Sequence, residues 1–510
     1  FYVQDEVQVS DNFKLTAGVR FDFPIWEDGA VNDAFNNNSV PILEAAGKDL
    51  QGARVGKGVR TQAHLSPRVG FNWDVKGNRT TQIRGGLGIF TSRLPLVWPG
   101  GTYNNNGVTG GYSNNFNISG GVNFNPDINN QPVHVAPGSG GTGGNIDLFA
   151  PDFKLPQRFK VNVAVDQKLP ILGLVASFDA FWVDNITEIY YENLNVGGPV
   201  GFLNGADGRP FYDRRDEVDP TYGRIMLASN TGGGDSWNTT FSLRKPFTNL
   251  TDWLGMEAAV NYSYGETTGI FDGTSSQNSS QWRGIQTVNG KNSQLPVTRS
   301  DFNQGHRITS SLGFDFKWNE NVSTKIGLFY EGAESQPYSF TYRDGADLLN
   351  DDSRDNALIY VPANASEITL EDSNNSGSTN DEWMTLDAII SGDDYLSTRR
   401  GQYAERNGSQ GPWSHVIDLR LAQDFSINAF DKKHTFQLTF DIFNFTNFLN
   451  KDWGNRYFAS SNVQILQTRT AGPDPIFRVL ESGIENQKQI DDRGIQSSRW
   501  QMQVGLRYSF

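Results

Sequence analysis

Three features of this 510-residue sequence predict an all-β protein, specifically a transmembrane antiparallel β-barrel with long loops on its extracellular side. First, apolar and polar residues alternate with a period of two in about thirteen segments. Second, short turns and long connections join these segments alternately. Third, the faces opposite the apolar ones carry charged residues, which a protein core would not accept without partners.

The alternation defines the strands one by one. FKLTAGVRFDF at 13–23 places aromatic and aliphatic residues at odd positions and polar residues or glycine between them, and WQMQVGLRYSF at 500–510 ends the chain on the same pattern. At about 3.3 Å per residue and a tilt near 40°, a ten-residue strand crosses a hydrocarbon layer of about 25 Å. The predicted strands lie near residues 1–10, 13–23, 64–75, 79–91, 157–168, 173–189, 236–246, 254–266, 305–317, 321–333, 414–426, 433–444 and 499–510.

The connections sort by length. Turns such as SDN, KGN and NEN are short, and they alternate with long connections. Short connections on one rim and long ones on the other are typical of outer-membrane barrels. A β-sandwich would also alternate along its strands, but it would rarely separate its connections so strictly. The long connections run through 24–63, 92–156, 190–235, 267–304, 334–413 and 445–498.

The polar faces of the predicted strands indicate which side of the barrel wall contacts water. In a small soluble barrel the inward residues would be apolar, and in a sandwich a partner sheet would have to cover the apolar faces. Lipid covers them more simply, so we expect apolar residues outside and a lumen that holds water or a polar plug. The charged residues on the second face include Arg68, Arg84, Lys160, Asp166, Arg244, Glu257, Lys325, Asp418, Arg420 and Asp441.

Strand direction predicts that more strands exist. The last strand follows a long extracellular connection and therefore descends to the periplasm, and with thirteen strands the first also descends. A single-chain barrel with both ends in the periplasm needs an even number of strands, the first of which ascends. Either the count is wrong by one, or strands upstream of Phe1 are missing. The absence of an initiating methionine and a signal peptide favours missing strands.

Several function classes are disfavoured. A net charge of −14 argues against nucleic acid as a partner. No cysteine is present, and the five histidines lack metal-ligand spacing. Neither a nucleophile elbow nor a phosphate-binding loop occurs. We therefore expect no enzyme activity.

Specific stretches resemble a known family. FYVQDEVQVSDNFKLTAGVRFD resembles the mid-barrel strand pair of TonB-dependent outer-membrane receptors. SPRVGFNWDVKGNRTTQIRGGLGIFTSR is similar to the following hairpin of their Oar-like branch, whose members bear a carboxypeptidase-regulatory domain. RDNALIYVP, YAERNGSQGPWSHVIDLRLAQDF and HTFQLTFDIFNFTNFLNKDWG resemble the same branch, whereas the intervening loops match nothing in it.

The resemblance implies a 22-stranded barrel with a plug inside it and a short box gripped by TonB. Residues 1–510 would then be the C-terminal part of the barrel, strands ten to twenty-two, and the plug and the N-terminal strands are absent from this sequence. The implied function is TonB-dependent active transport of a bulky substrate across the outer membrane of a Gram-negative bacterium, energised by the TonB–ExbB–ExbD complex. The substrate stays open among siderophore, glycan, peptide and exported protein.

Two other functions stay open. The barrel could be a passive channel, which should close with 16–18 strands and carry no plug. It could also be a structural or secretion-associated barrel whose loops dock a surface lipoprotein or another secretion component.

The terminal strand is similar to the signal that the barrel-assembly machinery reads in this class. An edge strand with an unpaired backbone is a template for strand addition. Aromatic residues at the membrane boundary could equally belong to the interfacial girdle. The residues assigned to this signal are Val504, Leu506, Tyr508 and Phe510.

Two loop segments are candidate binding sites. The stretch DGADLLNDDSRDNALIYVP could wrap a calcium ion, although it lacks the EF-hand order and a simply solvated loop is the alternative. The aromatic residues within LPLVWPGGTYNNNGVTGGYSNNF could contact a sugar or peptide, or could instead form the interfacial belt or pack within the loop. The calcium candidates are Asp347, Asn350, Asp351, Asp352 and Asp355, and the ligand-contact candidates are Trp98, Tyr103, Tyr112 and Phe116. No other cofactor is expected.

Overall fold

The computed structural model of the chain describes residues 1–109, 125–130, 144–214, 216–352, 355–492 and 498–510. Its main element is one antiparallel sheet whose thirteen wall strands follow one another in chain order. The sequence-based prediction of about thirteen alternating strands is confirmed, and most ends agree within two residues. The wall strands are β1 Tyr2–Ser10, β2 Phe13–Asp22, β3 His64–Asp74, β4 Thr81–Thr91, β5 Gln157–Lys168, β6 Val175–Asn193, β7 Asp235–Asn249, β8 Leu254–Gly269, β9 Gly305–Asn319, β10 Val322–Glu334, β11 Trp413–Ala429, β12 Lys432–Phe443 and β13 Gln501–Ser509.

The strand register separates two faces. Side chains directly opposite one another on neighbouring antiparallel strands lie on the same face of a sheet. Across β2 to β6, one row on the apolar face runs through Ala17, Val69, Leu87, Val161 and Trp182. The adjacent row on the polar face runs through Gly18, Arg68, Gly88, Lys160 and Val183. We call these the outer face and the lumen face.

Tight turns close one rim of the sheet. The β11–β12 turn consists of Phe430 and Asp431, which both have positive φ (52° and 58°). Leu172 and Gly173 in the β5–β6 turn also have positive φ (54° and 62°). Two successive residues with positive φ match the right-handed twist of the strands that they join.

Where the structure describes them, the six long connections contain helices and short strands. We number them loops 1 to 6, for residues 23–63, 92–156, 194–234, 270–304, 335–412 and 444–500. Their helices are α1 Val40–Ala45, which a π-turn Phe35–Ser39 precedes, α2 Val97–Asn104, α3 Asn278–Arg283, α4 Asn380–Gly392 and α5 Phe445–Leu449, with 3₁₀ turns Ala365–Glu367, Leu396–Arg399 and Glu481–Gln487. Their strands are Ile146–Phe149, Gly201–Phe202, Pro210–Phe211, Ile225–Thr231, Thr298–Arg299, Pro337–Arg343, Tyr360–Val361, Gln402–Tyr403, Ser409–Gln410, Tyr457–Phe458, Asn462–Thr470, Ile476–Val479 and Gln489–Ile490.

In the described part of the chain, the hydrophobic clusters consist mainly of residues from these loops. One cluster joins loops 3, 5 and 6 and includes Phe340, Leu386 and Phe477. Another joins loops 1, 2 and 3 around Phe35 and Leu227, and a third adds loop 4 through Trp282. We call the folded loops the cap. Burial of apolar side chains from different loops stabilises the cap as one packed unit.

In the described part of the chain, no helix combines the length and the apolar character required to cross a membrane.

Candidate functional site

One cavity of the cap has a volume of about 740 Å³ and lies between loop 4, loop 5 and the end of β8. Residues 285–289 and 293–299 form one wall, and residues 403–408 form another. Its volume lies within the range of about 300–1,000 Å³ that is usual for small-molecule sites. We call it the cap cavity.

Arg406 fixes the loop 5 wall of the cap cavity. Its guanidinium donates to the backbone oxygen of Ile270 at 2.6 Å and to Oε1 of Gln286 at 3.2 Å. It also pairs with the carboxylate of Asp272, and both side chains of this pair are at least nine-tenths buried. A buried arginine with several acceptors holds its surroundings in one geometry, so this wall is preformed.

The next residue, Asn407, ties the two walls together. Its backbone adopts a left-handed conformation with φ 53°, which asparagine tolerates better than most residues. Its amide donates to the backbone oxygen of Arg299 at 2.9 Å and to Oδ1 of Asp301 at 2.6 Å. The cap cavity therefore keeps its shape through side-chain hydrogen bonds between loops 4 and 5.

The lining of the cap cavity is mostly apolar and contains a small number of polar groups. Val288, Leu295 and Leu358 line the cap cavity together with Arg299 and Glu266, whose charged atoms lie 3.3 Å apart. Apolar walls with a few fixed polar groups are typical of binding sites for organic ligands. Among the described residues, nothing in this lining has the arrangement of a nucleophile and its base.

The acidic segment of loop 5 is tied into the cap by ion pairs. Lys291 and Asp351 form a pair whose side chains are 0% and 2% exposed. The Lys291 ammonium also lies 4.9 Å from the centre of the Trp282 ring. Burial lowers the pKa of Lys291, and the Asp351 carboxylate opposes that effect. Asp352 forms a second pair with Arg224 at 2.5 Å.

Asp347 lies beside this buried pair. Its Oδ1 accepts the backbone N–H of Asn350 at 2.9 Å, whereas its Oδ2 is buried and has no partner among the described residues. Burial and the nearby Asp351 charge raise the pKa of Asp347 to about 7. This carboxyl group therefore changes its charge near neutral pH.

The five calcium candidates do not form one ligand set. Asp351 and Asp352 face Lys291 and Arg224, and Asp355 accepts a hydrogen bond from the backbone N–H of Asp344. Within the described ranges, no group of three or more histidine or acidic side chains could hold a metal ion. A calcium ion would have to replace these contacts, and calcium in this loop stays a prediction.

Two of the aromatic candidates have defined places. Trp98 is only 7% exposed, and its indole donates to the backbone oxygen of Ser275 at 2.8 Å. Tyr103 is 37% exposed and donates to the backbone oxygen of Glu27 at 2.7 Å. Trp98 thus packs in the cap, while Tyr103 stays partly exposed. The other two candidates, Tyr112 and Phe116, lie outside the described residues.

The terminal strand lies at one edge of the wall. It pairs with β12 on one side, and the four proposed signal residues all lie on the outer face. Their exposed fractions run from 49% for Tyr508 to 77% for Leu506. The edge position of β13 suits a strand that another strand could pair with, and its exposed outer-face residues equally suit an aromatic girdle at the membrane boundary. The role of these residues in barrel assembly therefore stays a prediction.

Sequence reasoning did not find the tyrosine–histidine pairs at the rims. Three histidines lie on the outer face with Nδ1 close to a tyrosine hydroxyl of the neighbouring strand. The alternation pattern contains the signal, because each of these histidines occupies an outer-face position at the start of its strand. The pairs are Tyr262–His306 at 2.7 Å, Tyr330–His415 at 2.8 Å and Tyr508–His434 at 2.6 Å.

Comparison with known proteins gives one family and a set of distant structures. A family model described as an outer membrane beta barrel domain matches residues 1–480. The similar solved structures include the outer membrane transporter YddB from Escherichia coli, with 13% identity, 88% of this chain and 41% of that chain covered, and a TM-score of 0.41. They also include a variant of the ferric enterobactin receptor PfeA from Pseudomonas aeruginosa (11% identity, 99% and 43% covered, TM-score 0.38) and the FrpB iron transporter from Neisseria meningitidis (10% identity, 88% and 40% covered, TM-score 0.39).

This chain thus spans about two fifths of the length of those structures. No match was found among curated proteins.

Proposed function

Since this chain belongs to the outer membrane beta barrel domain family, we propose that it forms the lumen wall and cap of a TonB-dependent transporter for a bulky substrate. The protein is an integral outer-membrane protein, so lipid covers the outer face and the lumen face is polar. Family membership also agrees with the expectation that the chain is not an enzyme.

The observation that carries the proposal is the preformed cap cavity at the loop rim of a polar wall. The cavity of about 740 Å³ is held open by Arg406 and Asn407 between two loops. A general porin needs only a polar channel, whereas a transporter for a scarce substrate needs a site that captures it. The cap supplies such a site.

Strand direction supports a larger barrel. β1 and β13 occupy the two edges of the sheet and run in the same direction. Antiparallel closure between them therefore needs an odd number of further strands, because each strand reverses the direction. Nine more would complete a 22-stranded barrel with a plugged lumen. We propose that residues 1–510 are the C-terminal part of such a barrel, from the Oar-like branch.

The partners follow from this assignment. TonB–ExbB–ExbD would act on the box and plug outside this sequence, and the barrel-assembly machinery would read β13. A surface lipoprotein would find its contact area on the outer surface of the cap.

Conductance of the natural protein in a planar lipid bilayer tests the proposal. A plugged transporter is expected to give no steady current, and to conduct only after a denaturant has loosened the plug. A passive channel would conduct steadily without treatment, and that result would contradict the proposal. The intact mass of the natural polypeptide is the companion measurement: the proposal requires a mass well above 56.6 kDa.

A further inference from the structure

An aromatic and cationic cluster on the lumen face interrupts an otherwise polar wall. Arg68 on β3 and Lys160 on β5 both approach the ring of Phe90 on β4, with the guanidinium carbon 5.0 Å and the ammonium nitrogen 5.4 Å from its centre. Phe181 on β6 lies beside them, on the same face, and is 47% exposed. We call Arg68, Phe90, Lys160 and Phe181 the lumen cluster.

The register explains why the two cations converge. Gly88 of β4 lies directly between Arg68 and Lys160, paired with each of them. The two backbones are therefore about 10 Å apart, two strand spacings, with no side chain between them. A Cβ atom at Gly88 would lie 2.8 Å from Cβ of Arg68, so glycine is required for the arginine to occupy this position.

Glycines also form the floor of the lumen cluster. Gly70 and Gly86 face each other across β3 and β4, in the next row on the lumen face. With the side chains around them they enclose a cavity of about 440 Å³. Its lining combines the rings of Phe90 and Phe181 and the glycine backbone with the side chains of Thr16, Asn162 and Val183, and the two cations border it.

Among the described residues, neither cation has an acidic partner. Other lumen-face cations of this part of the wall are paired, such as Arg84 with Asp166 and Asp179, and Arg158 with Glu188. Within the described ranges, no hydrogen bond or ion pair engages the charged nitrogens of Arg68 or Lys160; their contacts are with the Phe90 ring. Two cations over an apolar cavity in a protein of net charge −14 are complementary to an anion that carries an apolar group.

We propose that the lumen cluster is a binding site for an amphipathic organic anion, whose carboxylate or similar group lies between Arg68 and Lys160 while its apolar part lies against Phe90 and Phe181. The site deepens the proposed function, on which it rests, because it names the chemical class that the lumen receives. The site lies toward the rim that carries the long loops, because Arg68, Phe90 and Lys160 lie in the halves of their strands that are next to those loops.

Binding of 4-fluorobenzoate to the natural protein in lipid nanodiscs tests the proposal, with ¹⁹F NMR as the readout. Uncharged 4-fluorobenzyl alcohol and trifluoroacetate serve as probes that lack the charge or the ring. We expect saturable binding of 4-fluorobenzoate and much weaker binding of the other two, because each lacks one half of the interaction.

Two kinds of variant remove the site without removing the fold. Arg68→Gln with Lys160→Gln abolishes the charges, and Gly70→Val fills the floor, where a Cβ atom would meet only the backbone oxygen of Gly85 at 3.6 Å. Each should weaken 4-fluorobenzoate binding about tenfold or more. The matched controls are Arg244→Gln, another lumen-face arginine, and Gly327→Val, where a Cβ atom would meet only Cβ of Arg420 at 3.7 Å. Neither control should change binding.

Equal affinity in all variants, no saturable binding, or equal binding of the alcohol would each overturn the proposal. The failure of the site and the failure of the proposed function can be told apart. A steady conductance with 4-fluorobenzoate bound at the lumen cluster would overturn only the transporter assignment, whereas a plugged protein without such binding would overturn only the site.

Discussion

The hydroxyl of Tyr262 on β8 lies 2.7 Å from Nδ1 of His306 on β9. The pair is diagonal in the register, because His306 precedes by two residues the β9 residue that lies directly opposite Tyr262. The same diagonal relationship joins Tyr330 to His415 at the loop rim and Tyr508 to His434 at the turn rim. Each pair presents an aromatic surface toward lipid while both polar groups are satisfied by each other. This is what a membrane interface requires of amphipathic side chains.

Removal of the Tyr262 hydroxyl should lower the stability of the protein measurably. Tyr262→Phe leaves the ring and deletes the hydrogen bond to His306, so we expect a loss of about 1 kcal/mol in the free energy of unfolding in bilayers. Tyr264→Phe is the matched control. The Tyr264 ring stacks on the His306 ring, with their centres 4.1 Å apart. The Tyr264 hydroxyl, however, has no hydrogen bond in the described part of the chain. Equal losses for the two variants would show that the hydrogen bond contributes nothing.

The buried pair of Lys291 and Asp351 should dominate the stability of the acidic segment. Lys291→Met leaves the buried Asp351 carboxylate without its counter-ion, although the backbone N–H of residue 291 still donates to it. Loss of one partner of a buried ion pair typically costs about 3–5 kcal/mol. Hydrogen exchange of residues 284–299 should therefore rise strongly, and the second substitution Asp351→Leu should restore much of the protection. Lys57→Met, at an exposed pair with Asp28, is the control and should change exchange little. Unchanged exchange in Lys291→Met would refute the role of the pair.

Stability of the cap should decrease as the pH rises from about 4 to about 7. The pKa of Asp347 is about 7 in the folded protein against an ordinary value of 3.8. In this window the folded state therefore holds a proton that the unfolded state has lost, and stability falls as the pH rises. Asp347→Asn, which keeps an acceptor for the N–H of Asn350, should flatten this dependence and stabilise the cap at pH 8. The exposed Asp394→Asn is the control, and the same slope in Asp347→Asn as in the wild type would contradict the assignment.

The calcium prediction has a direct test. Thermal unfolding is followed during a calcium titration of the wild type and of Asp347→Asn with Asp355→Asn. A rise in the melting temperature that is confined to the wild type would support a bound ion. An unchanged melting temperature would contradict the calcium prediction. The ion pairs of Asp351 and Asp352 would then be the reason why this segment of loop 5 is acidic.

The wall was predictable from the sequence because alternation is a local property. FKLTAGVRFDF predicts a strand over 13–23 without knowledge of any partner, and the structure has one over Phe13–Asp22. The cap was not predictable, because its cores combine loops far apart in sequence with no period in their apolar residues. Lys291 and Asp351 are sixty positions apart, and nothing in either segment marks the other.

The candidate sites were predictable only in part, for the same reason. The lumen-face cations Arg68 and Lys160 follow from alternation, but their convergence on Phe90 depends on the register across three strands. Trp98 shows the same limit. The sequence left ligand contact, the interfacial belt and packing within the loop open for this residue, and only the fold places its indole in a core built from several loops.

The assignment of the two faces is the central claim, and spin-label accessibility along β5 tests it most directly. The sequence contains no cysteine, so single substitutions from Phe159→Cys to Val163→Cys each carry one label without a background. In lipid vesicles, labels at 159, 161 and 163 should collide with oxygen dissolved in the bilayer. Labels at 160 and 162 should collide instead with a water-soluble nickel chelate, which gives a period of two. Equal access of both reagents at all five positions, or the opposite phase, would contradict a barrel wall with lipid on its apolar face.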